Sequence, residues 1–112
     1  MEVACYRIQL KPGSVPTVRE WSTRLRREIA EVQNLLKNEG MALESAFLEQ
    51  SPQGDFLVYY IRSTNLKRTR EVSQASQHPI DVYHREVMKR ITASAVELEC
   101  VLDVESEERE IR

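Results

Sequence analysis

Cysteine is nearly absent from this sequence, and the two that occur, Cys5 and Cys100, have no neighbour at C-x-x-C spacing. A zinc knuckle and a thioredoxin motif are therefore excluded, and neither a metal site nor a cofactor is expected. Long apolar runs are missing too: no stretch of 18 apolar residues exists, so no membrane span is expected. The start "MEVACYRIQL" lacks the basic region and apolar core of a signal peptide, which makes the cytoplasm the expected location. Nor is there an excess of one charge. A net charge of −2 argues against a general nucleic-acid binder, which normally presents a basic patch. The basic runs "RLRR" (24–27) and "LKRTR" (66–70) are interleaved with acidic residues and read as solvated helix faces.

What is present is a globular composition, 41% hydrophobic and 30% charged, in a chain long enough for one domain without disulfide or metal support. Residues 3–10 alternate, with Ala4, Tyr6, Ile8 and Leu10 on one side, as a half-buried strand does. Pro12 and Gly13 break it, and Pro16 starts a long helix. Val18, Trp21, Leu25, Ile29, Val32 and Leu36 form its apolar stripe, predicting one helix over 16–38, with Gly40 as a left-handed cap. Residues 41–51 and 55–62 read as a hairpin around "SPQGD". A short, poorly amphipathic helix follows over 64–76, and Pro79 starts another whose stripe includes Ile80, Tyr83, His84, Val87, Met88 and Ile91. The last strand is expected over 95–104, with Val96, Leu98, Cys100, Leu102 and Val104 facing the helices. Residues 105–112 read as a charged tail that frays, after a single domain over 1–104.

The order is β-α-β-β-α-β with the second helical arm split in two. It predicts an α+β, ferredoxin-like fold with helices on one face of a four-stranded antiparallel sheet. The other face is expected to carry Val3, Cys5, Ala42, Ala46, Leu48 and Val101 beside Arg7, Glu44, Glu97 and Glu99. Such a face is too apolar for free solvation and too charged for a dry core. It predicts a homodimer packed sheet against sheet. Cys5 and Cys100 are expected on opposite faces, hence unbridged. Over residues 3–104 the chain resembles the dimeric α/β-barrel superfamily. That superfamily includes cofactor-free monooxygenases, haem-degrading enzymes, sugar mutarotases and dehydratases. More narrowly, "RIQLKPG", "ES-x-F-L-E" (44–49), "GD-x-L-V-Y-Y" (54–60) and "S-x-H-P-I-D-x-Y-H" (76–84) are similar to a small bacterial family catalogued only as a domain of unknown function. The resemblance implies the fold and the dimer, and no particular activity.

The segment "SQHPIDVYH" (76–84) holds both histidines, with Asp81 midway between them. On a helix, His78 and His84 lie about 9 Å apart along the axis and about 120° apart around it, unsuited to sharing one metal. Asp81 and His84, at i and i+3, are surface neighbours, and a carboxylate there can orient an imidazole. Asp81 also has an ordinary use, capping the helix that Pro79 opens. His84 falls on the sheet-facing stripe, as a hydrogen-bonded core residue or as a pocket-lining acid/base. His78 reads as a loop residue of little consequence. Tyr6, Trp21, Tyr59 and Tyr60 are the aromatic candidates to line such a pocket, and in the resembled superfamily the pocket lies between sheet and helices. Glu44 and Arg62 are candidates for a structural charge pair inside the dimeric barrel.

Two functions remain in contention. One is a cofactor-free isomerase, mutarotase or monooxygenase-like enzyme with His84 as acid/base and Asp81 orienting it, acting on a small organic substrate. The other is a non-catalytic ligand-binding or structural dimer. An RNA-recognition motif of the same topology fails on residues, because "QGDFLVYY" keeps only Gly54, Val58 and Tyr60 of the third-strand pattern.

Overall fold

In the computed structural model, which describes residues 1–106, the alternating start does form a strand, β1 (Glu2–Leu10). Helix α1 (Val15–Arg27) opens with Pro16 in its first turn, where a missing N–H costs nothing. Helix α2 (Ile29–Asn38) leads into the hairpin β2 (Met41–Ser51) and β3 (Gly54–Ser63). Helices α3 (Leu66–Ala75) and α4 (Pro79–Ile91) follow, and β4 (Thr92–Leu98) completes the sheet. The sheet order is β2-β3-β1-β4, antiparallel throughout, which is the ferredoxin-like arrangement. Its core joins Leu10 and Leu57 of the sheet to Val18 and Trp21 of α1 and Val87 and Ile91 of α4.

The single helix expected over 16–38 is two. At Glu28 the backbone leaves helical geometry (φ −108°, ψ 33°), although the apolar stripe runs through the break and leaves no mark of it in the periodicity. Helix α1 buries Val18 and Trp21, whereas α2 buries none of its own residues. Gly40 holds φ +73°, and a Cβ there would sit 2.8 Å from Thr64 Oγ1, so the turn into β2 requires glycine.

Both edge strands face the opposite way from expectation. Ala46 pairs with Tyr59 and Glu97 with Tyr6, so Glu44, Ala46, Leu48 and Glu97 lie on the helix side. Phe47, Val96 and Leu98 lie on the open face. Alternation shows that two faces differ, but the register with β1 and β3 decides which one meets the helices. Bulges at Met41/Leu43 and Gln9/Leu10 help set that register. The last strand also ends at Leu98, short of the expected 104. Cys100, Val101, Leu102 and Val104 are outside it and exposed. Both cysteines are free, as expected, but Cys100 is not on a strand face. Of the expected tail, Glu105 holds Arg62, as does Asp103. Residues 107–112 lie outside the described residues.

Candidate functional site

Between the sheet and the helices lies a cavity of about 180 Å³. Every layer of the fold contributes to its wall: Tyr6 from β1, Glu44 from β2, Tyr59 from β3, Glu39 after α2, Arg70 from α3, and Asp81 and His84 from α4. Local structure explains each placement. Glu39 ends α2, its N–H donating to Leu35 O, while Thr69 Oγ1 donates to Glu39 O at 2.7 Å and shares a 2.8 Å hydrogen bond with Ser63 Oγ. That buried chain ties α2, β3 and α3 together at the cavity floor. Glu44 stands opposite Ile61 on the helix side of β2.

The helix start at α4 divides its labour differently from the sequence expectation. His78, not Asp81, is the cap: its Nδ1 accepts from Ile80 N–H at 3.1 Å, and its Nε2 lies 3.2 Å from Glu31 Oε2. Asp81, released from capping, lines the cavity with Oδ2 buried and without a hydrogen-bond partner. His84 is held by a residue the spacing rules could not pair with it. Trp21 Nε1–H donates to His84 Nδ1 at 3.1 Å. Indole nitrogen is a donor only, so Nδ1 accepts and a neutral His84 carries its proton on Nε2. Tyr59 completes an aromatic triangle, its ring 6.0 Å from His84 and 6.3 Å from Trp21.

Electrostatics then sort these groups. Burial lowers the His84 pKa, against the opposing pull of Asp81 and with a smaller contribution from Arg85, so the ring is neutral at pH 7. Glu44 is raised to about 7 by burial and then by the Asp81 charge. Glu39 is also raised to about 7, by burial and then by Asp81 and Glu44. At neutral pH the cavity therefore holds carboxyls poised between acid and base. Arg70 gives its guanidinium to Tyr6 Oη and to Glu97, 3.7 Å away.

Of the residues singled out in the sequence, Tyr6, Trp21, Tyr59, Asp81 and His84 come together. Tyr60 does not. It lies on the open face, where its hydroxyl accepts from Arg62 Nε at 3.3 Å. Glu44 and Arg62 are on opposite faces of the sheet, so the expected pair does not form. Glu39 and Arg70 were missed because "NEG" and "LKRTR" read as a helix end and a solvated face. No local pattern announces that either lines a cavity. Among the described residues, no three His, Cys, Asp or Glu side chains converge to hold a metal ion.

The chain belongs to the family of unknown function DUF6176, which matches residues 1–109. No curated protein matches it. Among solved structures it is similar to an L-rhamnose mutarotase from Formosa agariphila, at 18% identity and a TM-score of 0.66, covering 94% of this chain and 100% of that one. It is also similar to protein Atu4242 from Agrobacterium tumefaciens, at 14% identity and a TM-score of 0.57, covering 88% of this chain and 89% of that one. At such identities the likeness is one of fold.

Proposed function

We propose that the chain is a cofactor-free acid/base enzyme of the mutarotase type, acting on a small cyclic hemiacetal such as an aldose. The observation that carries this reading is the pair of carboxyls raised to about 7, Glu39 and Glu44, sharing one small cavity with a neutral, oriented imidazole. Anomer exchange needs a base to take the proton from the O1 hydroxyl and an acid to protonate the ring oxygen. The C1–O5 bond breaks as the C1=O bond forms, and reclosure after rotation reverses both transfers, so nothing is oxidised or reduced. A carboxyl with its pKa near the working pH serves either direction. His84 Nε2–H donates to a substrate oxygen, and Trp21 is the positioning residue that fixes its tautomer. Likeness in fold to a mutarotase supports the class of reaction without identifying the sugar.

Exchange-spectroscopy NMR on a panel of aldoses is the test. Accelerated anomer exchange in wild type is expected, with His84→Ala and Glu44→Gln each lowering the rate about 10²-fold or more, the usual contribution of a positioned acid or base. No acceleration with any aldose at micromolar protein overturns the reading. The packing of His84 against Trp21 and Tyr59 favours a second reading, a ligand-binding protein without chemistry, in which sugars bind but do not exchange. Either way, we place the protein in a homodimer, its open sheet face covered by a second copy.

A further inference from the structure

We propose that the cavity takes a small organic cation, a polyol carrying a primary ammonium group such as an amino sugar, its charge balanced by the carboxyl groups of Glu39, Glu44 and Asp81 in the wall. This rests on the reading above for the location of the site, and it changes the substrate class from a neutral sugar to a charged one.

The charge of the cavity wall is one-sided. Three carboxyl groups line the cavity against one guanidinium, and that one, Arg70, is engaged by Tyr6 and Glu97. Among the described residues no cation pairs with Glu39, Glu44 or Asp81. Natural structures seldom bury carboxyls without a counter-charge. Glu39 is only 6% exposed, and among the described residues its carboxyl has no hydrogen-bond donor. Asp81 Oδ2 is a buried acceptor with no donor. A buried oxygen left unsatisfied is costly, and one in the wall of a cavity beside an unpartnered, largely buried Glu39 points to a group that arrives from outside.

A neutral hydroxyl answers only half of the problem. It satisfies an acceptor oxygen but leaves the mutual repulsion that Asp81 imposes on Glu39 and Glu44. An ammonium group supplies three donors and the missing positive charge together, in charge-assisted bonds. The ring of Tyr59 gives the cation an aromatic neighbour. His84 is neutral and does not compete for the carboxylates. Size narrows the ligand further, since a cavity of about 180 Å³ lies below the roughly 300–1,000 Å³ of drug-sized sites. One ring with its substituents is the scale that fits. Binding the cation ionises both glutamates, which leaves them ready to act as bases.

Titration calorimetry and thermal shift on the whole protein at pH 7.5 make the test, with D-glucosamine, D-galactosamine and D-mannosamine beside the parent hexoses and the N-acetyl derivatives. The amino sugars are expected to bind on the order of tenfold more tightly than their parents, with the N-acetyl forms no better than the parents. Glu39→Gln and Asp81→Asn are each expected to abolish that preference while keeping a wild-type circular dichroism spectrum. Equal or weaker binding of all three amines overturns the proposal, as does a preference that survives both substitutions. Anomer exchange on the neutral hexoses, measured in parallel, separates the two claims. Exchange without amine preference defeats the cation alone. Amine preference without exchange of any sugar defeats the catalytic reading alone.

Discussion

Trp21 and His84 are 63 positions apart in the chain, yet one hydrogen bond between them fixes which imidazole nitrogen carries the proton. Nitrogen-15 NMR should therefore find His84 in the Nε2–H form, and Trp21→Phe should mix the tautomers while costing about 0.5–1.5 kcal/mol for the lost bond. A ring that keeps one tautomer in Trp21→Phe would remove Trp21 from the positioning role. Glu44 lends itself to a pH measurement. Its folded pKa of about 7 lies above the unfolded value of 4.5, so the folded state binds the extra proton. Its stabilising contribution is complete below about pH 4.5 and is lost as pH rises through 7. Glu39 acts in the same direction. His84, with a lowered pKa, acts oppositely and favours the fold as pH rises through the window below 6.5. Glu44→Gln should then raise Tm relative to wild type at pH 8 by about 3–8 °C and leave pH 4 nearly unchanged. An equal shift at both pH values would show that the change does not come from titration of Glu44.

At the scale of elements, the start of α4 shows how a sequence signal can be right about position and wrong about agent. Pro79 and the residues around it do begin a helix, but the free amide at Ile80 is satisfied by His78. His78→Ala should cost about 0.5–2 kcal/mol in denaturant unfolding, the usual loss for a cap, and should leave ligand binding intact. Asp81→Asn should cost little stability, because it removes a buried charge without breaking a bond to the backbone. The sequence alone implies the reverse order, since it ranks residues by helix position without knowing which side chain reaches the amide. If Asp81→Asn proves the more destabilising, the structural assignment of the cap is wrong. Helix α2 teaches a related lesson. Its share of the apolar stripe, Val32 and Leu36 included, predicts a buried face, yet those residues border the cavity in place of a filled core.

For the whole molecule, the proposed homodimer rests on the open sheet face. Phe47, Val96 and Leu98 are 62, 59 and 42% exposed there, with Arg7 and Glu49 paired beside them at 3.1 Å. Exposed aromatic and aliphatic side chains on one face, ringed by charge, fit a self-complementary two-fold interface. Sedimentation should give a dimer for wild type at micromolar concentration, and Phe47→Glu with Val96→Glu should give a folded monomer. A wild-type monomer at that concentration would refute the assembly. The expected pattern of that face differed from the observed one at both edge strands, although the conclusion that it needs a cover did not depend on which alternating set it carried.

The sequence by itself determined the order of strands and helical arms, the turns at Gly13 and Gly40, the helix starts at Pro16 and Pro79, and the sheet-facing position of His84. These follow from local physics: alternation in strands, the 3.6-residue helical period, and the few residues that tolerate a turn or a first helical turn. The family segment at 76–84 was legible for the same reason, being contiguous. Only the tertiary structure decided that Glu39 and Glu44 share a cavity with Asp81, that Tyr59 and not Tyr60 joins them, and that Trp21 orients His84. Each of those relations joins residues on different elements, and strand register sets them. Register is a collective outcome of how edge strands pair with β1 and β3, so a one-residue shift exchanges every side chain between cavity and open face. The raised carboxyl pKa values have the same origin, because burial and the Asp81 charge act through space and exist only once the layers close.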